Sequence, residues 1–404
     1  MPDGSGRSVD CCIVGGGIIA LSIARELAGR GLRVRVLARG PARETASWAA
    51  VGIFPPAPRY PGCPPNAALT AWSDDLHRTW AADLLAETGI DNGLRRCGGL
   101  HLAATEADRD RLRGVAAEWR AKRTRCELLG PDDVAACEPA LRHAVERAAI
   151  AGGLLLPDEQ RIRPPRHLQA LERSCLGRGV TITRGASARE FVRRGGRVEA
   201  VIADVDGHAE RVDAGAFVLA AGAWTGGLAA GLGAAVETRP IRGQIVLLEL
   251  PRQVLTRIVN SGLDYLVPRE DGHLLVGSTI EDAGFEPVTT PDAIARLRHL
   301  ARDLLGPIAD RPPAAVWAGL RPGSADGTPF IGRLPGLDNT VIATGHFRAG
   351  LHQSPATAMM VADILTDRPC QLDPAPFAPD RGPTAPTADS VATYLARAAA
   401  ATGA

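Results

Sequence analysis

Three things are scarce in this chain of 404 residues, and each scarcity removes a class of function. The first is charge of one sign. Lys and Arg total 46 against 45 Asp and Glu, a formal net charge of +1. The two signs are interspersed, with no basic stripe or polybasic block, which argues against a nucleic-acid or membrane-surface binder. The second is the long apolar run. None approaches the ~18 residues of a membrane span, although a hydrophobic content of 45 % is ample for cores. The opening Met1-Pro-Asp-Gly-Ser-Gly-Arg lacks the apolar centre of a signal peptide, so a cytoplasmic protein is expected. The third is any pattern among the eight cysteines. Cys11, Cys12, Cys63, Cys97, Cys126, Cys137, Cys175 and Cys370 form no C-x-x-C and no Cys/His cluster, so neither disulfides nor a metal site is expected. Cys11 and Cys12 are neighbours on a strand and point to opposite faces as small buried residues.

What is present begins at Val9. An apolar run, Cys11 to Val14, enters a glycine cluster, a largely apolar helical pattern follows, and a second apolar-rich run spans Val34 to Leu37. Gly15, Gly17 and Ala20 take the three small positions of G-x-G-x-x-G/A. Gly15 permits the tight turn, and Gly17 lets amides approach a pyrophosphate at the positive end of the helix. Ala20 allows close packing of helix on strand. Dinucleotide binding follows from this βαβ context. One expected piece is missing. The acidic residue that should close the second strand and hold a ribose hydroxyl is replaced by Ala38 and Arg39, and an arginine there keeps NADP open beside a flavin.

The length suits two domains. The order reads as nucleotide unit, insertion, nucleotide unit, β-rich unit, nucleotide unit. The fold class is α/β: a discontinuous Rossmann-type domain over 1–90, 151–235 and 315–370, and an antiparallel β-rich substrate domain over 91–150 and 236–314. Residues 371–404, rich in Pro, Ala, Asp and Thr, read as a tail with a short helix from Ser390 to Ala400. Asn66 is expected to cap a helix to about Glu87, and Pro355 to sit in the first turn of a helix to about Leu365. Asp206-Gly207 and Asp271-Gly272 mark two hairpins.

Several segments then match one family, in order, over most of residues 9–366. They are Ile13-Val-Gly-Gly-Gly-Ile-Ile19, Ser47-Trp-Ala-Ala-Val-Gly52, Arg242-Gly-Gln244, Tyr265-Leu-Val-Pro-Arg269 with Val276-Gly-Ser-Thr279, Trp317-Ala-Gly-Leu-Arg-Pro-Gly323 through Asp326-Gly-Thr-Pro-Phe-Ile-Gly332, and Gly345-His-Phe-Arg-Ala-Gly350 with Pro355-Ala-Thr357. On these the chain resembles the D-amino-acid-oxidase superfamily of flavoproteins, and within it the thiamin-pathway glycine oxidases. The resemblance implies FAD rather than NADP. Gly15, Gly17, Ile18 and Ile19 would meet the pyrophosphate, and Ala38 and Arg39 would stand at the adenosine ribose. Ala46, Ser47, Val51, Gly52 and Ile53 match the flavin-side loop, and Ala188 matches a backbone contact to the adenine portion. His346, Phe347, Arg348, Ala349, Gly350, Leu351 and His352 would wrap the isoalloxazine. No cysteine falls in the Trp317 or Gly345 motifs, so the FAD is expected to be non-covalent.

The same resemblance assigns Arg321 to the substrate carboxylate, Tyr265 to a hydroxyl beside it and Arg348 to a second arginine at the site. By itself Arg321 reads as a surface-loop arginine about as readily as a ligand, and Tyr265 more readily as a packing residue. The implied activity is oxidation of glycine or a small N-substituted glycine, with hydride transfer from Cα to flavin N5. The imine is hydrolysed to glyoxylate and amine, and O2 is reduced to H2O2. Leu351-His-Gln-Ser354 is more polar than in the glycine oxidases. That keeps open a pathway-specific enzyme cleaving a larger N-substituted glycine, alongside a flavoprotein that does not use O2. A homo-oligomer is implied by resemblance alone.

Overall fold

The computed structural model describes residues 9–382, 386–387 and 390–402; the first eight residues, on which the expectation about a leader rests, lie outside them. Val9–Val14 is the hub of an eight-stranded sheet. It pairs in parallel with Val34–Ala38 and with the end of His208–Leu219, so that Ile13 stands opposite both Val36 and Val218. Thr181–Arg184 and Thr340–Thr344 extend the parallel set on either side. Strands buried on both faces read as continuous apolar runs, as these do. Cys11 and Ile13 enter the core beneath the helices Ile18–Gly29, Pro65–Thr88 and Gly350–Leu365. Cys12 and Val14 enter the opposite core with Phe217 and Leu219, and burial pushes the Cys12 thiol up to about 12. The Asp206-Gly207 hairpin forms with φ of +50° and +86°, the paired left-handed conformations of a tight turn that matches strand twist.

The second sheet also has eight strands. From one edge it runs Ala315–Gly323, Arg239–Glu249, His273–Gly277, Asp264–Pro268, Ile258–Ser261, Gly99–Ala103, Gly152–Leu156 and Glu127–Leu129. It is antiparallel except for one parallel junction, between Ile258–Ser261 and Gly99–Ala103. Its two faces separate by alternation. Val246, Val276, Leu266, Val259 and Leu100 stand in register and pack into a core with the helix Pro291–Leu305. One residue along, Trp317, Ile245, Gly277, Tyr265, Asn260 and His101 form the row on the other face, toward the first domain.

Four local expectations change. Gly152–Leu156 and Ala315–Gly323, grouped by sequence with the nucleotide units, are strands of the second sheet. A short apolar run does not reveal which sheet will pair it. The helix expected to begin after Asn66 starts at Pro65, behind Pro64. Proline suits a first turn because its missing N–H has no partner there anyway. Asn66 instead accepts from Gln353 Nε2 at 2.7 Å and donates to Gly327 O at 3.3 Å. Pro355 lies inside Gly350–Leu365, not in its first turn. The Leu351 carbonyl that its ring cannot serve accepts from Ser354 Oγ at 3.0 Å. Finally, the stretch after Leu365 turns back onto the body. Phe377 is fully buried in the core of the first domain, and Val391–Thr402 is a helix whose first residue is buried.

Candidate active site

Between the two sheets lies a cleft of about 1590 Å³, and every residue that the sequence assigned to cofactor or substrate lines it. At one end is the glycine turn. Gly15 has φ +135°, and a Cβ there would lie 2.2 Å from Ala220 O. The neighbouring strand end leaves room only for glycine. Gly17 caps Ile18–Gly29 without a side chain, so the first-turn amides are served from outside. Ser47 Oγ accepts from the Ile18 amide at 2.9 Å. Ala38 closes its strand fully buried, and a Cβ on Gly16 would meet its methyl at 2.6 Å. The acidic residue missing from the sequence is thus replaced by a close contact. Arg39 is exposed and lies over the Trp224 ring, 4.0 Å from its centroid.

The flavin-side loop, residues 46–53, is clamped from both domains. Trp317 Nε1 donates to Ala49 O at 3.1 Å, and Arg269 Nη2 donates to Val51 O at 2.7 Å. Ile162 N donates to Gly52 O at 2.8 Å. A Cβ on Gly52, which has φ +75°, would come within 2.3 Å of Ile162 O. Burial, with Arg161 and Arg163 nearby, pulls Arg269 down to about 9. It is still protonated at neutral pH, and it ties the second sheet to this loop.

At the centre of the cleft the strand Ala315–Gly323 carries Arg321. Its partner strand places Gly243 beneath it, and a Cβ on Gly243 would sit 2.2 Å from both terminal guanidinium nitrogens. The guanidinium lies on bare backbone. It donates to Arg242 O at 3.3 Å, to Thr279 O at 3.2 Å and to Ser278 Oγ at 2.7 Å. Desolvation holds Arg321 below an arginine's ordinary value, Tyr265 acts the other way, and Arg348 pushes in the same direction as desolvation. Tyr265 is buried in the sheet row, with Gly277 opposite leaving space for its ring. Farther along that row His101 Nε2 and Asn260 Nδ2 meet the buried Glu159 carboxylate at 3.0 and 3.2 Å.

The segment Gly345 to His352 closes the floor. Phe347 adopts φ +47°, and its amide donates to Pro322 O at 2.7 Å, joining it to the Arg321 strand. Gly350–Leu365 starts there with no side-chain cap. Its first amides therefore point into the cleft as a second positive helix end. His346 Nε2 pairs with Thr357 Oγ1 at 3.0 Å, and burial lowers its pKa to about 3, so it is neutral. His352 stacks on Phe54 with centroids 4.2 Å apart and pairs with Asp74 Oδ1 at 3.0 Å. Gly243, Ser278 and Thr279 lay within motifs already legible in the sequence, although their support of Arg321 was not read there. Glu159, Tyr394 and Arg397 carried no sequence signal, because only the tertiary fold brings them to the cleft, and the same is true of Asp74 as the partner of His352.

The family model for FAD dependent oxidoreductases (DAO) matches residues 10–364. The chain belongs to this family. It is an FAD-dependent oxidoreductase, and the NADP that Arg39 left open is set aside. A glycine oxidase of Pseudomonas aeruginosa is 36 % identical over 369 residues, covering 91 % of this chain and 97 % of that one. A glycine oxidase of Pseudomonas putida is 34 % identical over the same shares. The crystal structure of glycine oxidase from Geobacillus kaustophilus superposes with a TM-score of 0.85 at 29 % identity, covering 93 % of this chain and 100 % of that one. The cleft suits the family's cofactor on its own geometry. A glycine-only approach at Gly15 opens onto one helix N-terminus for a pyrophosphate. A second helix end without a side-chain cap, at Gly350, offers another positive site on the cleft. No helix among the described residues is long and apolar enough to cross a membrane.

Proposed function

We propose that the protein oxidises glycine or a small N-substituted glycine at the CH–NH group. The observation that carries this reading is Arg321. It is a guanidinium laid on Gly243, held by carbonyls and a hydroxyl, with no carboxylate among its hydrogen-bond partners. Such a fork binds a planar carboxylate through two parallel N–H donors and fixes one orientation. Tyr265 stands beside it to order the same end of the substrate. Bound FAD supplies the two-electron acceptor, which O2 reoxidises with release of H2O2.

The remaining tasks fall to the chain. Arg321 and Tyr265 anchor the carboxylate so that the Cα–H is aimed at the floor formed by His346 to His352, and this positioning is much of the catalysis. The substrate reacts as the neutral amine. His346, depressed to about 3 by burial, is not its base. Loss of the Cα hydrogen with its two electrons, and of a proton from the nitrogen, leaves an imine, and water cleaves it. The sum is substrate, O2 and water giving glyoxylate, amine and H2O2. None of the cysteines lines the cleft among the described residues, which supports a non-covalent cofactor. The glycine oxidases among the relatives support the substrate class.

The test is anaerobic mixing of the purified holoenzyme with glycine, sarcosine, D-alanine or D-proline while the visible flavin band is followed. Bleaching by glycine or sarcosine is expected, with peroxide on admission of air. Arg321→Ala should lower kcat/KM by roughly 10- to 100-fold, chiefly through KM, because a charge-assisted anchor is worth ~1.5–3 kcal/mol. Unchanged kinetics would refute the assigned site. Bleaching without peroxide would mark a dehydrogenase.

A further inference from the structure

The chain continues beyond the family-matched residues and returns to the cleft. Arg381 forms a two-pronged pair with Asp326, both contacts at 3.0 Å and both side chains below 10 % exposed, and lies over Phe330. Thr387 Oγ1 donates to Asp326 O at 2.8 Å. Ser390, fully buried, caps the last helix by accepting from Thr393 N at 3.2 Å. Val391 then fills the space Gly323 leaves, where a Cβ would lie 2.3 Å from Val391 Cγ2. These four contacts fix Val391–Thr402 across the mouth of the cleft, with Tyr394 and Arg397 on its lining.

Tyr394 is edge-on to Phe347, with centroids 5.5 Å apart. Two guanidinium groups share its ring: Arg348 Cζ is 4.6 Å from the centroid and Arg397 Cζ 5.4 Å. Arg348 also bears on Arg321, whose pKa it lowers. Three cations therefore converge on one cleft. Arg321 is partnered by carbonyl oxygens, the Ser278 hydroxyl and the Tyr265 side chain, and Arg348 and Arg397 by the Tyr394 ring. Glu281, which attracts Arg321, is hydrogen-bonded by Arg242 and Gln244, and Asp326 is paired with Arg381. One carboxylate needs one guanidinium fork. A ring quadrupole attracts two cations without cancelling their mutual repulsion, so Arg348 and Arg397 have no carboxylate partner among the described residues.

We infer that Arg348 and Arg397, gathered around Tyr394, form a second anion site, and that the substrate is a glycine whose nitrogen substituent carries its own acid group. The inference rests on the proposed glycine site at Arg321, and joins Arg348, inside the family-matched region, to Tyr394 and Arg397, beyond it. Arg321 takes the glycine carboxylate, and the substituent reaches toward the last helix with its charge between the two outer arginines.

Two ethers test this without turnover, since neither has an amine to oxidise. Diglycolate carries two carboxymethyl arms, and methoxyacetate carries one. Calorimetric titration of the holoenzyme should show diglycolate binding about tenfold tighter, the effect of one charge-assisted contact. Arg397→Gln, at an exposed position where folding is not at stake, should bring the two affinities within about twofold. Anaerobic bleaching should likewise favour iminodiacetate over sarcosine, and Arg397→Gln should erase that preference. Equal affinity for the two ethers, or a ratio unmoved by Arg397→Gln, overturns the second site. The glycine reading then stands if methoxyacetate still depends on Arg321. Failure of both ethers to bind overturns both.

Discussion

The glycine turn at Gly15 and the arginine mouth under Tyr394 bound the same cleft, but they are built in opposite ways. The turn is backbone presented by absent side chains. Its strand, helix and strand are assembled within about 30 residues of sequence, and its chemistry is one helix end, pressed close by the strand end at Ala220. The mouth is side chains presented by a scaffold. Arg321, Arg348 and Arg397 come from a sheet strand, a loop and a late helix, and Arg321 and Arg348 are held by contacts distant in sequence. Backbone sites tolerate no substitution but carry little specificity. Side-chain sites carry specificity and can be altered one residue at a time.

Breaking the turn should have the largest effect. In Gly15→Ala the methyl would meet Ala220 O at 2.2 Å in a backbone conformation hostile to L-residues. The variant should purify with the flavin absorbance per protein reduced by more than about tenfold, together with a lower melting temperature. Full yellow colour would mean that the turn is not the pyrophosphate site. Next comes the anchor of the mouth. Arg381→Leu removes the guanidinium from the buried Asp326 carboxylate, which keeps its hydrogen bond from Thr328 N, a loss of about 3–5 kcal/mol for a broken buried pair. Limited proteolysis should then cut the segment after residue 370 well before the body, with flavin retained. Equal resistance in variant and parent would show that the last helix is held by other contacts.

Gly243→Ala should separate the two regions most cleanly. Its methyl lands 2.2 Å from the Arg321 nitrogens and far from the glycine turn, so kcat/KM should fall roughly 10- to 100-fold while flavin content is unchanged. A loss of flavin instead would mean that the strand, not the guanidinium, was disturbed. The smallest effect is one of pH. His167 is buried with its pKa pushed down to about 3 from an ordinary 6.5, and His77 is lowered in the same direction. The folded state thus refuses protons that the unfolded chain accepts. Their contribution is fully present above about pH 6.5 and is lost as pH falls toward 3, on the order of 2 kcal/mol for His167 between pH 6.5 and 5. The melting temperature should fall over that interval, and His167→Asn should flatten the slope. A slope unchanged in the variant would assign the effect to other groups.

This contrast also explains what was legible in advance. Every residue of the turn, and the strand, helix, strand around it, could be read from spacing, because the conformations are local and glycine alone permits them. Arg321, Tyr265 and Arg348 could be named only by resemblance, since nothing in their surroundings distinguishes a ligand from a surface arginine or a packed tyrosine. The pairing of Gly152–Leu156 and Ala315–Gly323 with the second sheet was not readable, because partner choice is set by the whole fold. The last helix was expected from Ser390 to Ala400 and forms over Val391–Thr402, but its docking on the body was not readable. Its composition suggested a tail, and what fixes it is an ion pair to Asp326 and a vacancy at Gly323, both more than fifty residues away.

The row Trp317, Ile245, Gly277, Tyr265, Asn260 and His101 has a practical consequence. Six adjacent strands each contribute one position to a single line across the sheet. The adjacent row Val246, Val276, Leu266, Val259 and Leu100 belongs to the opposite face and its separate core. A library randomising Ile245, Asn260 and His101 would therefore rewrite the cleft wall in combination while leaving the packing behind the sheet as it is. Glu159, which His101 and Asn260 both engage, would have to vary with them, since a buried carboxylate left without its donors would select against most combinations before any substrate was tried.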